Sequence, residues 1–275
     1  WQPYSIHTTF QYGGAPGKRH RLREAGVWID PPKYYDPAGG VLTFDLDLPR
    51  EMLHPPGGMR VGGHIAMITH QLAQIRAALA LATALGRKLV LPEVTCGYDK
   101  AWYALSSGAS SRGVFAGAPG FAVPIRKCPL DHFLEPASLH PGNTVREFSF
   151  LDNPRAAALK ASTASTALVA DAGAAGEITR LVASYAQTKV LHITNKLGPG
   201  GLALDAGWLD EETQRKFTNK FQGASGSWCC APGDEASKGA ARSSYFRLLG
   251  GRPARPPLSL LRRAARMVTK RKAPT

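Results

Sequence analysis

Residues 64–92 read HIAMITHQLAQIRAALALATALGRKLVLP, and this stretch decides the fold class. Its apolar side chains recur at steps of three and four residues, as they do along one face of an α-helix. The residues on this face are Ile65, Ile68, Leu72, Ile75, Leu79, Ala82 and Leu85. The pattern stops at Gly86 and is followed by the short apolar strand Lys88–Pro92. A helix that leads through one glycine into a buried strand is the repeating unit of a parallel α/β sheet, so the sequence predicts an α/β fold with a Rossmann-like layer that includes residues 58–92.

Three other segments have a recognisable period or composition. Val41–Leu48 (VLTFDLDL) alternates apolar and polar residues and is followed by a proline, which predicts a strand. Lys189–Ile193 (KVLHI) predicts a second buried strand. Ala156–Ala186 is rich in alanine, which favours a helix. Beyond Gly198 the sequence predicts no defined element.

Composition excludes several classes of protein. The chain has 275 residues, 44% of them hydrophobic, which is enough to build a core and excludes a disordered or collagen-like protein. Its longest apolar run, Ala77–Leu85, is shorter than the roughly 20 residues that a membrane-spanning helix needs. We therefore expect this chain to be soluble. Because Trp1 is not an initiator methionine, we also expect the natural start to lie upstream, with any signal or anchor.

The positive charge is concentrated at one end of the chain. The formal net charge is +14, from 34 Lys and Arg against 20 Asp and Glu. Residues 236–275 contain eleven of the basic residues and no acidic one, so the remainder of the chain is nearly neutral. This segment predicts a flexible, solvated basic tail, and we expect no nucleic-acid partner. The alternative, a tail that binds nucleic acid or an anionic surface, would show a steep salt dependence of binding.

The segment 7–23, HTTFQYGGAPGKRHRLR, combines glycines with cations. Glycines allow backbone N–H groups to approach an anion closely, and Lys and Arg side chains can neutralise it. The pattern indicates a diphosphate site; the alternative is a surface turn with solvated cations. It is not a Walker A loop, because Arg19 stands where Ser or Thr would bind magnesium.

This segment also begins a resemblance to a known family. The stretches 7–40 (HTTFQYGGAPGKRHRLREAGVWIDPPKYYDPAGG), 64–103, 128–135 (CPLDHFLE) and 146–154 (REFSFLDNP) resemble the C-terminal part of plant and green-algal extensin arabinosyltransferases. The resemblance implies a Golgi enzyme with a GT-A-like nucleotide-diphospho-sugar transferase domain. It implies retaining transfer of L-arabinofuranose from a UDP-sugar to hydroxyproline-linked arabinosides of cell-wall glycoproteins. It also implies a type II membrane protein, held in the Golgi membrane by an N-terminal anchor that is missing here.

The resemblance assigns roles to residues of the Gly-rich segment. By this comparison His7 is the metal ligand, Arg21 supports the site, and the diphosphate cradle is formed by Gly13, Gly14, Gly17 and Lys18. The implied cofactor is a divalent metal, Mn²⁺, which suits an imidazole ligand and would stabilise the departing UDP. The family's Asp-x-Asp metal motif precedes this segment and is absent here. Asp45-Leu46-Asp47 has its letters but follows the Gly-rich segment, so we do not expect a metal there. No catalytic residue can be named, and the chain alone is expected to be catalytically incomplete.

We expect three regions along the chain. Residues 1–50 would be the C-terminal end of the GT-A-like domain, residues 51–235 a partial Rossmann-like α/β domain, and residues 236–275 the flexible basic tail. The alternative function is a non-catalytic accessory module that binds an acceptor polypeptide or a subunit. Sequence upstream of this chain would separate the two, because an Asp-x-Asp motif after an apolar strand supports the enzyme.

The unit formed by helix 65–85 and its strand also resembles the opening unit of protein O-fucosyltransferase-like domains. That resemblance implies that some of its polar residues contact an acceptor or a sugar nucleotide; they are His64, His70, Gln74 and Arg76. The simpler interpretation is that the polar face of the helix, which also carries Gln71, points into water.

The four cysteines contain no CxxC pair, which makes a zinc ribbon a poor interpretation. In the secretory lumen that the first resemblance implies, Cys96 and Cys128 would form a disulfide. Without that context two buried free thiols are an equal alternative. Cys229 and Cys230 have no assigned role.

Overall fold

The structure is a computed structural model of the chain, and it describes residues 5, 8, 14–57, 59, 61–97, 127–135, 145–169, 173–194, 209–227 and 246–247. The predicted metal ligand His7 and the cradle residue Gly13 lie outside these ranges. So do Cys229, Cys230 and, apart from residues 246–247, the basic tail.

Five short strands form a parallel sheet. They are β1 (Val41–Phe44), β2 (Lys88–Val90), β3 (Val145–Arg146), β4 (Thr163–Thr166) and β5 (Val190–Ile193), in the spatial order β3-β2-β1-β5-β4. The predicted α/β class and the three predicted strands are confirmed. The central strand β1 lies within residues 1–50 and pairs with β2 and β5, which both lie beyond residue 50. The expected boundary near residue 50 therefore falls between strands of one sheet. Two further strands, β6 (Gly226–Ser227) and β7 (Phe246–Arg247), form an antiparallel pair.

Seven α-helices, besides three short 3-10 helices, accompany the strands within the described residues. They are α1 (Gly14–Glu24), α2 (Pro32–Tyr35), α3 (Arg50–Leu53), α4 (Val61–Ala84), α5 (Ala157–Lys160), α6 (Gly173–Tyr185) and α7 (Glu211–Ala224). The connection from β1 to β2 contains α4, and the connection from β4 to β5 contains α6. A helix between consecutive parallel strands is the connection that such a sheet requires.

Side chains alternate between the two faces of the sheet along each strand, and an apolar cluster covers each face. On one face, Leu42, Leu89 and Leu191 pack with α4, with Leu181 of α6 and with Phe221 of α7. On the other face, a smaller cluster forms around the alternate strand residues Val41, Val90 and Val190, together with Tyr34, Tyr35, Phe150, Ala156 and Leu159. Apolar burial on both sides explains why the inner strands β1, β2 and β5 are short, mostly apolar runs.

Helix α4 is the main apolar element of the core. Its stretch Gly62–Ala84 is long and apolar enough, by length and composition, to cross a membrane, but 67% of its most apolar window is buried inside the protein. Ile68, Leu72, Ile75 and Leu81 are at most 1% exposed. This burial is typical of the core helix of a globular protein.

Two sequence predictions are wrong in detail. Ala156–Ala186 is not one helix: α5 ends at Lys160, β4 follows, and α6 begins only at Gly173, which has a positive φ of 64°. The break has a local cause, because the Thr163 hydroxyl donates to the carbonyl of Lys160 and because β-branched threonines at both ends of β4 favour an extended strand.

The polar face of α4 does not point into water either, since Gln71 and Gln74 are 1% and 0% exposed. Both amides bind backbone groups inside the protein, as described below. A polar stripe on a helix therefore marked buried hydrogen bonds here and not a solvated surface.

Candidate functional site

The described part of the segment predicted to cradle a diphosphate, residues 14–23, is helical. Helix α1 begins at Gly14, whose φ is +57°, a conformation that glycine adopts without strain. Pro16 in the first turn and the Lys, Arg and Leu residues that follow it favour a helix. Of the predicted cradle residues on this helix, Gly14 and Lys18 are exposed and Gly17 is buried.

Arg21 of α1 binds an acidic residue far away in the chain. Its Nε donates to Oδ1 of Asp131 at 2.8 Å and its Nη2 to Oδ2 at 3.2 Å. The Asp131 side chain is only 1% exposed, whereas that of Arg21 is 26% exposed. In the same interface the Leu130 N–H donates to a Glu24 carboxylate oxygen at 3.1 Å. Asp131 lies within the stretch CPLDHFLE, but the sequence indicated no role for it. Through its two hydrogen bonds to Asp131, the Arg21 guanidinium helps to hold the fold together.

Some of the residues that α1 contacts lie beyond the carboxyl ends of two strands. Ser149, which follows β3, donates from its hydroxyl to the Arg23 carbonyl at 3.1 Å. The segment 128–132 is joined to residues that follow β2, because the Cys128 N–H donates to the Val94 carbonyl at 2.7 Å. In open parallel sheets ligands bind outside the carboxyl ends of the strands. Helix α1 therefore lies against the edge of the sheet where ligand sites are usually found.

Cys96 and Cys128 form a disulfide, which decides between the two alternatives left open by the sequence. His132 lies beside it, with its Nδ1 3.5 Å from the Cys128 sulfur and its Nε2 3.2 Å from Nη2 of Arg21. A guanidinium has only N–H donors, so Nε2 of His132 must be the acceptor and its ring proton must sit on Nδ1, facing the sulfur.

This proton placement bears on metal binding. Cys96, Cys128 and His132 are buried, and their ligand atoms lie within 4.8 Å of one another, a spacing compatible with a metal ion. A metal would need both thiolates and a deprotonated Nδ1. The disulfide removes the first and the Arg21 contact opposes the second. The described residues therefore favour a disulfide with a neighbouring imidazole over a metal centre.

A second cluster of buried charges surrounds Tyr34. Its ring lies between two guanidinium groups, with the Cζ atoms of Arg23 and Arg146 4.4 Å and 4.1 Å from the ring centroid. Its hydroxyl donates to a Glu147 carboxylate oxygen at 2.6 Å. Burial and the adjacent Glu147 carboxylate raise the pKa of Tyr34, so the phenol stays protonated and remains a donor.

The charges of the two arginines in this cluster depend on their surroundings. Burial lowers the pKa of Arg146. Burial is the largest influence on Arg23 and acts against its charge, but the hydrogen bond to Asp30 and the electrostatic attraction of Tyr34, Asp30 and Glu147 together outweigh it and raise its pKa. The contacts of this cluster are internal and join α1, α2 and β3.

Two amides of α4 hold the chain as it leaves β1 and β2. Gln74 accepts a hydrogen bond from the Asp47 N–H and donates one to the Asp47 carbonyl, both at 2.8 Å. Gln71 does the same at Thr95, with distances of 2.9 Å and 2.8 Å. Each amide thus pairs with both the N–H and the carbonyl of one residue, as a neighbouring strand would.

The histidines predicted to contact a ligand have internal partners. Nε2 of His70 lies 2.7 Å from the Asp47 carbonyl, so it carries the ring proton and donates. Nδ1 of His64 accepts from the Gly97 N–H at 3.0 Å. Complete burial lowers the pKa of His64 to about 4, so this imidazole is neutral near pH 7. Arg76 donates to the Thr218 hydroxyl of α7 at 3.3 Å.

The sequence missed a polar cluster at the same edge of the sheet. Nδ1 of His192 on β5 lies 3.0 Å from the Thr43 hydroxyl on β1, and its Nε2 lies 3.5 Å from an Asp45 carboxylate oxygen. The period-two pattern was the available signal, because Thr43 and His192 interrupt apolar strands at paired positions. The Asp45 side chain is 90% exposed.

Comparison with known proteins identifies a relative of this chain. The chain is 41% identical over 165 residues, 56% of its length, to "Arabinosyltransferase XEG113" of Arabidopsis thaliana. The chain is similar to a plant arabinosyltransferase. The predicted resemblance is therefore confirmed. The match spans about a quarter of that arabinosyltransferase, 24% of its length. No protein-family model matches the chain, and no solved structure matches it.

Proposed function

We propose that this chain is part of a retaining glycosyltransferase that transfers L-arabinofuranose from a UDP-sugar to hydroxyproline-linked arabinosides of extensin-like glycoproteins. The observation that carries the proposal is the 41% identity to the Arabidopsis arabinosyltransferase. Because the match covers only 24% of that protein, we propose that this chain contributes part of the active site and is catalytically incomplete alone.

Within this proposal, the start of α1 binds the diphosphate of the donor. The first turn of an α-helix presents backbone N–H groups that have no partner within the helix, and the helix dipole favours an anion there. Gly14 has open space where a side chain would stand, and Lys18 is exposed one turn away. Arg21 would act indirectly, because its contact with Asp131 fixes α1 against the edge of the sheet.

The proposed cofactor is Mn²⁺, with His7 as one ligand. Because His7 lies outside the described residues, this assignment rests on the resemblance and on the affinity of imidazole for such metals. A bound cation would offset the charge that develops on the departing UDP.

We place the protein in the Golgi lumen. The Cys96–Cys128 disulfide supports this location, because disulfides persist in oxidising compartments such as the secretory pathway. The arabinosyltransferase similarity points to the same compartment through the glycoprotein acceptor that such an enzyme implies.

A chimeric enzyme tests the proposal directly. The matching region of the Arabidopsis arabinosyltransferase is replaced with the aligned residues of this chain, and transfer of arabinose from UDP-arabinofuranose to a hydroxyproline-arabinoside peptide is measured. We expect the chimera to retain transfer. We expect Lys18→Ala to lower it at least about tenfold, because one charge-assisted contact to phosphate contributes roughly 1.5–3 kcal/mol.

Lys33→Ala is the matched control, since Lys33 is another exposed lysine, on the short helix α2. The proposal fails if a chimera that folds and reaches the Golgi normally transfers no arabinose. The assignment of α1 fails separately if Lys18→Ala and Lys33→Ala behave alike.

A further inference from the structure

The disulfide between Cys96 and Cys128 has an asymmetric environment. The Cys128 sulfur faces Nδ1 of His132 at 3.5 Å. His132 is itself held by Nη2 of Arg21 at 3.2 Å from its Nε2. Among the described residues this imidazole N–H is the donor beside the Cys128 sulfur, and no described residue donates to the Cys96 sulfur.

The tautomer of His132 is fixed by a partner that cannot change roles. Arg21 remains a cation and can only donate, so Nε2 of His132 stays an acceptor and Nδ1 keeps the proton. The 1% exposed Asp131 holds the guanidinium in place through two hydrogen bonds. A thiolate on Cys128 would therefore meet a preorganised N–H donor, and such donors stabilise thiolates.

We propose that the Cys96–Cys128 disulfide is a redox site with a fixed polarity, in which Cys128 is the leaving sulfur and external dithiols are the reductants. A thiolate of the dithiol attacks the Cys96 sulfur, the Cys96–Cys128 bond breaks, and its electron pair stays on Cys128 beside His132. The second thiol of the reductant then attacks the mixed disulfide. Cys96 leaves as a thiolate and takes a proton from water, and the dithiol ends as a disulfide, so two electrons are transferred.

The site is coupled to α1 by the short segment that carries Cys128. Its residues Leu130 and Asp131 bind Glu24 and Arg21 of α1. The disulfide ties this segment to Cys96, in the chain that follows β2. Reduction breaks this covalent link and weakens the contacts that hold α1 against the segment. The inference concerns the disulfide itself and does not depend on the proposed transferase function.

The experiment has an equilibrium part and a kinetic part. The chain is equilibrated with mixtures of reduced and oxidised dithiothreitol in the presence of a chelator, and the reduced fraction is measured by thiol labelling and mass spectrometry. We expect His132→Phe to lower the equilibrium constant for reduction about tenfold, since a hydrogen bond to a charged group contributes roughly 1.5 kcal/mol. His192→Phe, which changes a histidine on β5, should leave the constant unchanged.

The polarity, meaning which cysteine sulfur is attacked and which one leaves, is measured in the unaltered chain. It therefore remains testable if His132→Phe does not fold. A brief reaction with a monothiol should place the mixed disulfide on Cys96, and the fully reduced chain should be alkylated at Cys128 at lower pH than at Cys96. Amide hydrogen exchange of residues 14–24 should accelerate after reduction. A mixed disulfide on Cys128, equal equilibrium constants for both variants, or stoichiometric zinc bound by the reduced thiols and His132 without the chelator would overturn the proposal.

Discussion

Arg21 on α1 and Asp131, 110 positions later in the chain, are joined through two hydrogen bonds of 2.8 Å and 3.2 Å, and the carboxylate is almost completely buried. The contact attaches the helix that carries the proposed diphosphate-binding residues to the segment that carries the disulfide.

Loss of the Arg21 guanidinium should destabilise the fold. Arg21→Met leaves the buried Asp131 carboxylate without its charged partner, which we expect to cost about 2 kcal/mol, below the usual range for a fully buried pair because Arg21 is partly exposed. Urea denaturation measures the free energy of unfolding. Lys18→Met, an exposed position on the same helix, should change it by less than about 0.5 kcal/mol. Equal losses for the two variants would contradict a structural role for Arg21.

The phenol of Tyr34 should be separable from its ring. Tyr34→Phe keeps the ring between Arg23 and Arg146 but removes the donor to buried Glu147, which we expect to cost about 1–3 kcal/mol. Tyr34→Leu also removes both ring contacts and should cost at least about 1 kcal/mol more. If chemical denaturation gives the same free energy of unfolding for both variants, the guanidinium–ring contacts contribute nothing.

The Gln74 amide should not tolerate replacement by its charged isostere. Gln74→Glu can still accept from the Asp47 N–H, but it places a carboxylate oxygen against the Asp47 carbonyl in a fully buried position. We expect a loss of about 3 kcal/mol near neutral pH, since a buried charge without a partner is costly. Protonation of the new carboxyl should restore part of this loss, measured relative to the unaltered chain, at pH 4. A loss relative to the unaltered chain that is the same at both pH values would argue against this reason.

His64 should make the fold sensitive to acid. Its pKa is about 4 in the folded chain, against 6.5 for an unperturbed histidine, so the unfolded state binds more protons between these values and stability falls as the pH drops through this window. The expected loss from this group is about 3 kcal/mol, calculated at 1.36 kcal/mol per pH unit.

The control for His64 is His64→Asn, whose amide oxygen can still accept from the Gly97 N–H but does not titrate. The pH dependence of its unfolding free energy should be shallower than that of the unaltered chain between pH 6.5 and pH 4. Parallel curves would show that His64 is not the acid-sensitive group.

The core of the fold could be predicted from the sequence because the strongest hydrophobic periodicities depend only on which side chains are buried. The stripe from Ile68 to Leu85 and the strand residues Leu191 and Ile193 belong to the cluster on one face of the sheet, and Val190 belongs to the cluster on the other face. The roles of Gln71, Gln74 and Asp131 could not be predicted, because each depends on a partner that is distant in the chain. Local periodicity carries no information about which backbone group a buried amide will meet. For the same reason the sequence could not show that Arg21 contacts Asp131.

The diphosphate assignment of α1 is tested most directly by calorimetric titration of UDP into the chain, with and without Mn²⁺. The account predicts saturable, Mn²⁺-dependent binding by the unaltered chain and by Lys33→Ala, and at least about tenfold weaker binding by Lys18→Ala, the loss expected for one charge-assisted phosphate contact. No binding by the unaltered chain, or equal binding by all three proteins, would contradict it.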